Sequence, residues 1–138
     1  DDSMFISMFY GKYDARDASF SYASAGHEPA LYYKASEGKF VELNAKGLLL
    51  GVHKNVEYEE KSVILEEGDF IAMMTDGVTE IRTKQGFIDE EIIQSIMLEV
   101  KERSAQTIAE TVYERLFQLQ DFQLRDDFTI VIFKKEEK

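Results

Sequence analysis

The hydrophobic period of this chain changes once, near Asp89, and that change restricts the fold more than any other feature. Before it, apolar residues alternate with polar ones or form short runs broken by turn residues. After it, Ile92, Ile93, Ile96, Met97 and Val100 fall on one helical face, with Asp89 placed as the N-cap. A period of two needs a sheet and a period of 3.6 needs a helix, so the pattern predicts an α+β fold with antiparallel strands first and helices after them.

Within the first part, residues 4–13 and 19–25 read as a hairpin around Asp14-Ala15-Arg16-Asp17, with Phe20, Tyr22 and Ser24 on one face. Residues 30–34 and 39–43 make a second pair around Ala35-Ser36-Glu37-Gly38. Residues 56–65 resume an extended pattern, and Glu66-Glu67-Gly68-Asp69 turns into the run Phe70-Ile71-Ala72-Met73-Met74. Ser104 is the candidate N-cap of a second helix with Ile108, Val112, Leu116 and Leu119 on one stripe. The closing run at 128–133 is almost wholly apolar, which predicts a central strand covered on both faces. The aromatic and Met-rich strands, with Phe5, Met8, Phe9, Tyr10, Tyr32 and Tyr33, are expected to fill the core.

At 138 residues, 44% of them hydrophobic, the chain suits one domain with a substantial core. It has no cysteine, which excludes disulfides, thiolate zinc sites and a cysteine nucleophile and leaves oxygen and imidazole as metal ligands. A formal charge of -11 argues against a nucleic-acid partner, because phosphate backbones need clustered Lys and Arg. No apolar stretch approaches the roughly 18 residues of a membrane-spanning helix, so a soluble, cytoplasmic protein with no membrane partner is expected. The start at Asp1-Asp2-Ser3, without an initiator Met, leads to the expectation of a piece of something larger.

Two acidic clusters stand at the tips of apolar runs. Thr75-Asp76-Gly77 follows one, and Asp126-Asp127 precedes another. Rigid strands that hold carboxylates at their ends suit hard cations, and Gly77 would let a metal, water or phosphate approach the backbone. Adjacent Asp126 and Asp127 repel each other unless a cation or donors neutralise them, and on a strand they point to opposite faces. Each cluster alone is also an ordinary strand-ending turn. The two histidines, His27 and His53, are the candidate proton donors, His27 the better placed because it follows Ala25-Gly26 in a motif segment, although such a histidine more often simply hydrogen-bonds a neighbouring loop. Glu80 and Arg82 could orient water or meet a phosphate, but a solvent-facing loop explains them as well, and they stay outside the catalytic set.

In order along the chain, Phe20-Ser21-Tyr22-Ala23-Ser24-Ala25-Gly26-His27-Glu28-Pro29, Gly68-Asp69, Thr75-Asp76-Gly77-Val78-Thr79-Glu80 and Asp126-Asp127-Phe128-Thr129 closely resemble the bacterial metal-dependent serine/threonine protein phosphatases of the SpoIIE and RsbU type. That resemblance implies an α-β-β-α sandwich of two antiparallel sheets flanked by helices, with two Mn²⁺ or Mg²⁺ ions at one edge. Asp76 and Asp126 would be metal ligands, with Gly77 and Asp127 supporting. The ions would activate water for in-line attack on the phosphorus and offset charge on the phosphoryl group. The implied substrate is a phosphorylated anti-sigma-factor antagonist in a stress or sporulation pathway, and the implied neighbour is an upstream sensory domain.

The sequence departs from that family at one point. The first metal motif, a Gly-Asp segment followed by glycines whose Asp bridges both ions, is absent, and Asp1 and Asp2 do not replace it. The chain is therefore expected to be the C-terminal part of a single phosphatase domain, incomplete on its N-terminal side, binding metal weakly and inactive on its own. The rival reading is a non-catalytic regulatory or partner-binding half-domain. Open strand edges further point to self-association as a homodimer.

Overall fold

The computed structural model describes residues 4–75, 82–83, 86–119 and 129–136, with backbone alone at 82–83 and 86–87. Its elements run β1 (Met8–Asp14), β2 (Ser19–Ala25), β3 (Ala30–Lys34), β4 (Lys39–Leu43), β5 (Lys61–Ile64), β6 (Phe70–Met74), β7 (Arg82–Thr83), β8 (Gly86–Phe87), α1 (Glu90–Glu99), α2 (Ala105–Leu119) and β9 (Ile130–Lys134). Both expected hairpins form, β1 pairing with β2 and β3 with β4, all antiparallel. The strands assemble into one sheet of order β1-β2-β5, a second of order β4-β3-β6-β9, and a small β7-β8 ribbon.

The four-stranded sheet is covered on both faces, and the alternation of its side chains divides them between two cores. Leu31, Tyr33, Phe70 and Ala72 pack against Ile93, Ile96, Met97, Ile108, Val112 and Leu116 of the helices. Ala30, Tyr32 and Ile71 point the other way, onto Phe20 and Tyr22 of the three-stranded sheet. Phe133 of β9 joins that second core, its ring 4.9 Å from that of Tyr13 and 6.1 Å from that of Phe20. The result is a sheet–sheet–helix stack, the mixed α+β architecture expected.

The helices start where their caps predict. Asp89 Oδ1 accepts from the Glu91 N–H at 2.6 Å, and Ser104 Oγ accepts from the Thr107 N–H at 3.1 Å. Their buried stripes are narrower than the sequence suggests: Ile92 and Leu119, read as core-facing, are exposed at the margins of the helical layer. Two further expectations are corrected. The last strand is the edge of its sheet among the described residues, not a central strand, and Val131 is half exposed. Met8 and Tyr10 are exposed, because alternate residues of β1 face away from the sandwich, where no described element packs, and Phe5 is exposed in the segment that leads into β1.

Asp69 fastens the two cores together. It is 1% exposed and pairs with no cation among the described residues, yet it accepts from the Ala35 N–H at 2.8 Å, the Glu66 N–H at 2.8 Å and the Tyr32 hydroxyl at 2.9 Å. Its backbone carbonyl accepts from the Lys135 N–H at 2.9 Å. Three neutral donors thus offset the desolvation of one carboxylate. Burial, then the hydrogen bond to Asp69, pushes the Tyr32 phenol up, so it stays protonated and able to donate. Asp69→Ala would leave one buried and two part-buried donors without their acceptor, and urea melts should show a loss of about 3 kcal/mol; a loss below about 1 kcal/mol would show that water or a neighbouring acceptor can replace the carboxylate.

Candidate functional site

Three strand ends converge at one edge of the four-stranded sheet. β6 leaves that edge at Thr75 and β9 enters it at Thr129, since β6 and β9 pair antiparallel with Met74 opposite Ile130. The Thr75 N–H donates to the Thr129 carbonyl at 3.1 Å, and the Thr129 N–H donates to Thr75 Oγ1 at 3.0 Å. A side-chain hydroxyl here replaces the next backbone acceptor of the ladder, so the pair is locked at its last residue. β3 begins at the same edge: Leu31 stands opposite Ala72, so the chain enters β3 beside the end of β6.

The segment Ser24-Ala25-Gly26-His27-Glu28-Pro29 joins β2 to β3 and thereby crosses from one sheet to the other at this edge. Ser24 is buried; its Oγ accepts from the His27 N–H at 3.2 Å and donates to the His27 carbonyl at 3.2 Å. Gly26 has φ +64, a conformation that side chains with a Cβ resist, and Leu49 lies where such a Cβ would point. The Gly26 N–H donates to the Gly47 carbonyl at 2.9 Å. Gly47 approaches so closely that a Cβ there would stand 1.9 Å from the Ser24 carbonyl oxygen. Gly47 therefore serves close packing against the turn. His27 is half-buried, with Nδ1 3.0 Å from the Glu28 carbonyl and its ring 6.5 Å from that of Phe9.

Carboxylates gather on the helix side of this edge. Glu42 of β4 stands opposite Leu31, and Glu90 opens α1 beside the cap Asp89. The first turn of a helix ordinarily favours a charged carboxylate. Glu90 is nonetheless held above the usual carboxylate range, first by desolvation, then by the charge and hydrogen bond of Glu42, then by Glu28 and Asp89. The potential around Glu28, Glu42, Asp89 and Glu90 is thus negative and suited to a cation nearby. Among the described residues, no three His, Asp or Glu side chains form a metal-holding group.

Of the residues singled out in the sequence, His27 lies at this edge. His53 is exposed in the 51–55 turn region and forms no part of it. Asp76, Gly77, Asp126 and Asp127 lie outside the described residues, as do Glu80 and the side chain of Arg82. The sequence reading missed Thr75, Thr129 and Ser24 as organisers of the edge. Thr75 could have been suspected, as a β-branched hydroxyl residue between an apolar strand and an acid.

Because the folded-state value of Glu90 is raised, the folded chain holds more protons than the unfolded one from the ordinary carboxylate range up through that raised value. Stability therefore falls as pH rises across this window and then levels. Glu90→Gln should remove the fall, leaving the variant more stable than the parent at neutral pH by at most about 0.5 kcal/mol, since the residue is exposed and solvent screens it. Urea melts at pH 4 and pH 7.5 check this; an unchanged difference between the two would mean that the four acids do not interact.

The profile of the Stage II sporulation protein E (SpoIIE) family matches residues 1–136. The chain is 44% identical over 136 residues to the phosphoserine phosphatase RsbU of Bacillus subtilis (strain 168), which covers 99% of this chain and 41% of that protein. It thus spans about two fifths of that relative. Its fold superposes on the Mn-presoaked phosphatase domain of the cell fate determinant SpoIIE from Bacillus subtilis with a TM-score of 0.74 at 22% identity, covering 96% of this chain and 57% of that one. The RsbU and RsbW domains of a Mycobacterium tuberculosis protein give a TM-score of 0.75 at 23% identity, covering 94% of this chain and 36% of that one. Two antiparallel sheets and two helices in this arrangement, with a family match across nearly the whole length, make the chain a member of the SpoIIE family.

Proposed function

We propose that the chain is the C-terminal part of a metal-dependent protein serine/threonine phosphatase domain, acting on a phosphorylated anti-sigma-factor antagonist under an upstream sensory domain. The observation that carries this reading is the Thr75–Thr129 clamp. Asp76 is bonded directly to Thr75 and Asp126 precedes Thr129 by three residues, so at about 3.8 Å per Cα step the chain keeps both acids within reach of one sheet edge. Carboxylate oxygens of this kind suit Mn²⁺ or Mg²⁺. When bound, two such ions would supply the Lewis acidity that activates water and offsets phosphoryl charge.

The chain's own residues prepare that edge. Thr75 and Thr129 fix the exit of β6 against the entry of β9. Glu28, Glu42, Asp89 and Glu90 add negative potential that draws cations and leaves phosphate binding to depend on their presence. Gly77 would spare room for substrate, and Asp127 would orient a ligand or the water. The identity with RsbU, named a phosphoserine phosphatase, supports the substrate class.

The outer face of the β1-β2-β5 sheet, on which no described element packs and where Met8, Tyr10 and Ile64 are exposed, favours the further reading that these 138 residues are incomplete as a catalyst. A layer packed there would finish the α-β-β-α sandwich and bring the missing bridging carboxylate. On that reading the isolated chain binds Mn²⁺ weakly and serves at most as a partner-binding half-domain.

A chain extended by the upstream residues of its longer relatives should release phosphate from a phosphoserine protein only with Mn²⁺ or Mg²⁺. Asp76→Asn and Asp126→Asn should each lower that rate by about 100-fold or more, beyond the 10–100-fold typical of groups that merely orient ligands. Rates untouched by both substitutions would discard the metal assignment. Robust Mn²⁺-dependent turnover by the 138-residue chain alone would discard its incompleteness.

A further inference from the structure

We propose that His27 is the catalytic residue that hands a proton to the leaving serine oxygen, an inference that rests on the phosphatase reading above. A carbonyl oxygen can only accept a hydrogen bond, so the 3.0 Å contact between Nδ1 and the Glu28 carbonyl puts a hydrogen on Nδ1. Nε2, which has no hydrogen-bond partner among the described residues, is then the ring atom that exchanges a proton.

The surrounding turn holds the imidazole in place. Ser24 Oγ bridges the N–H and the carbonyl of His27, Gly26 supplies the left-handed bend, and Phe9 packs beside the ring. This rigidity exceeds what a simple connection between β2 and β3 needs. The turn also lies at the working edge, because it leads directly into β3, whose Leu31 pairs with Ala72 three residues before Thr75. His53, the other histidine, is exposed and unsupported by any such turn.

The step balances as follows. The oxygen of a water molecule forms a bond to phosphorus while the bond from phosphorus to the serine Oγ breaks. The electron pair left on Oγ takes the proton from Nε2, giving serine and inorganic phosphate. The attacking water releases its proton to solvent, from which Nε2 recovers one, so the ring ends as it began. The Nδ1–H bond to Glu28 stays intact throughout and keeps the ring from turning.

His27→Asn tests the assignment, because the Asn side-chain amide can still donate to the Glu28 carbonyl in place of Nδ1 and the turn keeps its bond. In the extended chain with Mn²⁺, the variant should lose about 10²–10⁴-fold on a phosphoserine protein and under about threefold on p-nitrophenyl phosphate, whose leaving oxygen departs without a proton. Nitrogen-15 NMR of the same unsubstituted protein should show the Nδ1–H tautomer for neutral His27, and thermal melts should show the variant folded. Equal losses on both substrates, no loss on either, or an Nε2–H tautomer would overturn the role of His27 while leaving the phosphatase reading intact. An unsubstituted protein inactive on both substrates would instead sink that reading, and this inference with it.

Discussion

One buried carboxylate organises this fold. Asp69 sits where β6 begins, and the groups it ties come from three separate stretches: Tyr32 and Ala35 at the end of β3, Glu66 in the turn after β5, and Lys135 just beyond β9. A full charge in a core is costly, and replacing it by apolar side chains would often leave stability unchanged. What Asp69 provides is specificity. Its side chain binds the end of β3 and the turn before β6, so satisfying the carboxylate favours one alignment of β3 against β6, while its backbone carbonyl ties the end of β9 to the start of β6.

That register then acts at a distance. Asp69 lies at one end of β6 and Thr75 at the other. With β6 aligned against both neighbours, the exit at Thr75, the entry at Thr129 and the start of β3 at Ala30 share one edge. Two kinds of local device finish the edge. Hydroxyls take over where backbone pairing stops, Thr75 on the β6–β9 side and Ser24 on the turn between sheets. Glycines admit close backbone approach, Gly47 against Ser24 and Gly26 against Leu49. The chemistry proposed for this edge depends on rigidity that begins at the opposite end of the sheet.

Much of this was legible in the sequence, for reasons that can be named. Extended runs around turn residues reported the two hairpins, with β2 alternating because one of its faces is buried, and Asp89 and Ser104 reported the helix starts, because capping is a local hydrogen bond. The misjudged residues are those whose environment is set by distant chain. Met8 and Tyr10 have the composition of core residues and lie on a face with nothing described above it, and Phe5 is exposed ahead of β1. The last strand has the apolar content of a central strand and stands at an edge. Leu119 keeps the helical stripe but is exposed at the last residue of α2. The Thr75–Thr129 clamp joins residues 54 apart, and no local pattern announces such a pair. Gly68-Asp69 reads as a turn in the sequence, and its anchoring role depends on Tyr32, 37 residues away.

The two-faced packing of the central sheet makes the chain intolerant of a particular kind of change. Along β3, Leu31 and Tyr33 belong to the helical core while Ala30 and Tyr32 belong to the core between sheets. Inserting or deleting one residue within β3 would exchange these memberships, driving small Ala30 and large Tyr33 into each other's layer. The same slip would carry the Tyr32 hydroxyl to the face away from Asp69 and shift His27 along the edge. Frame within this five-residue strand is therefore under selection from both hydrophobic cores, from the buried acid and from the working edge at once, so variation in length should be confined to the turns that flank it.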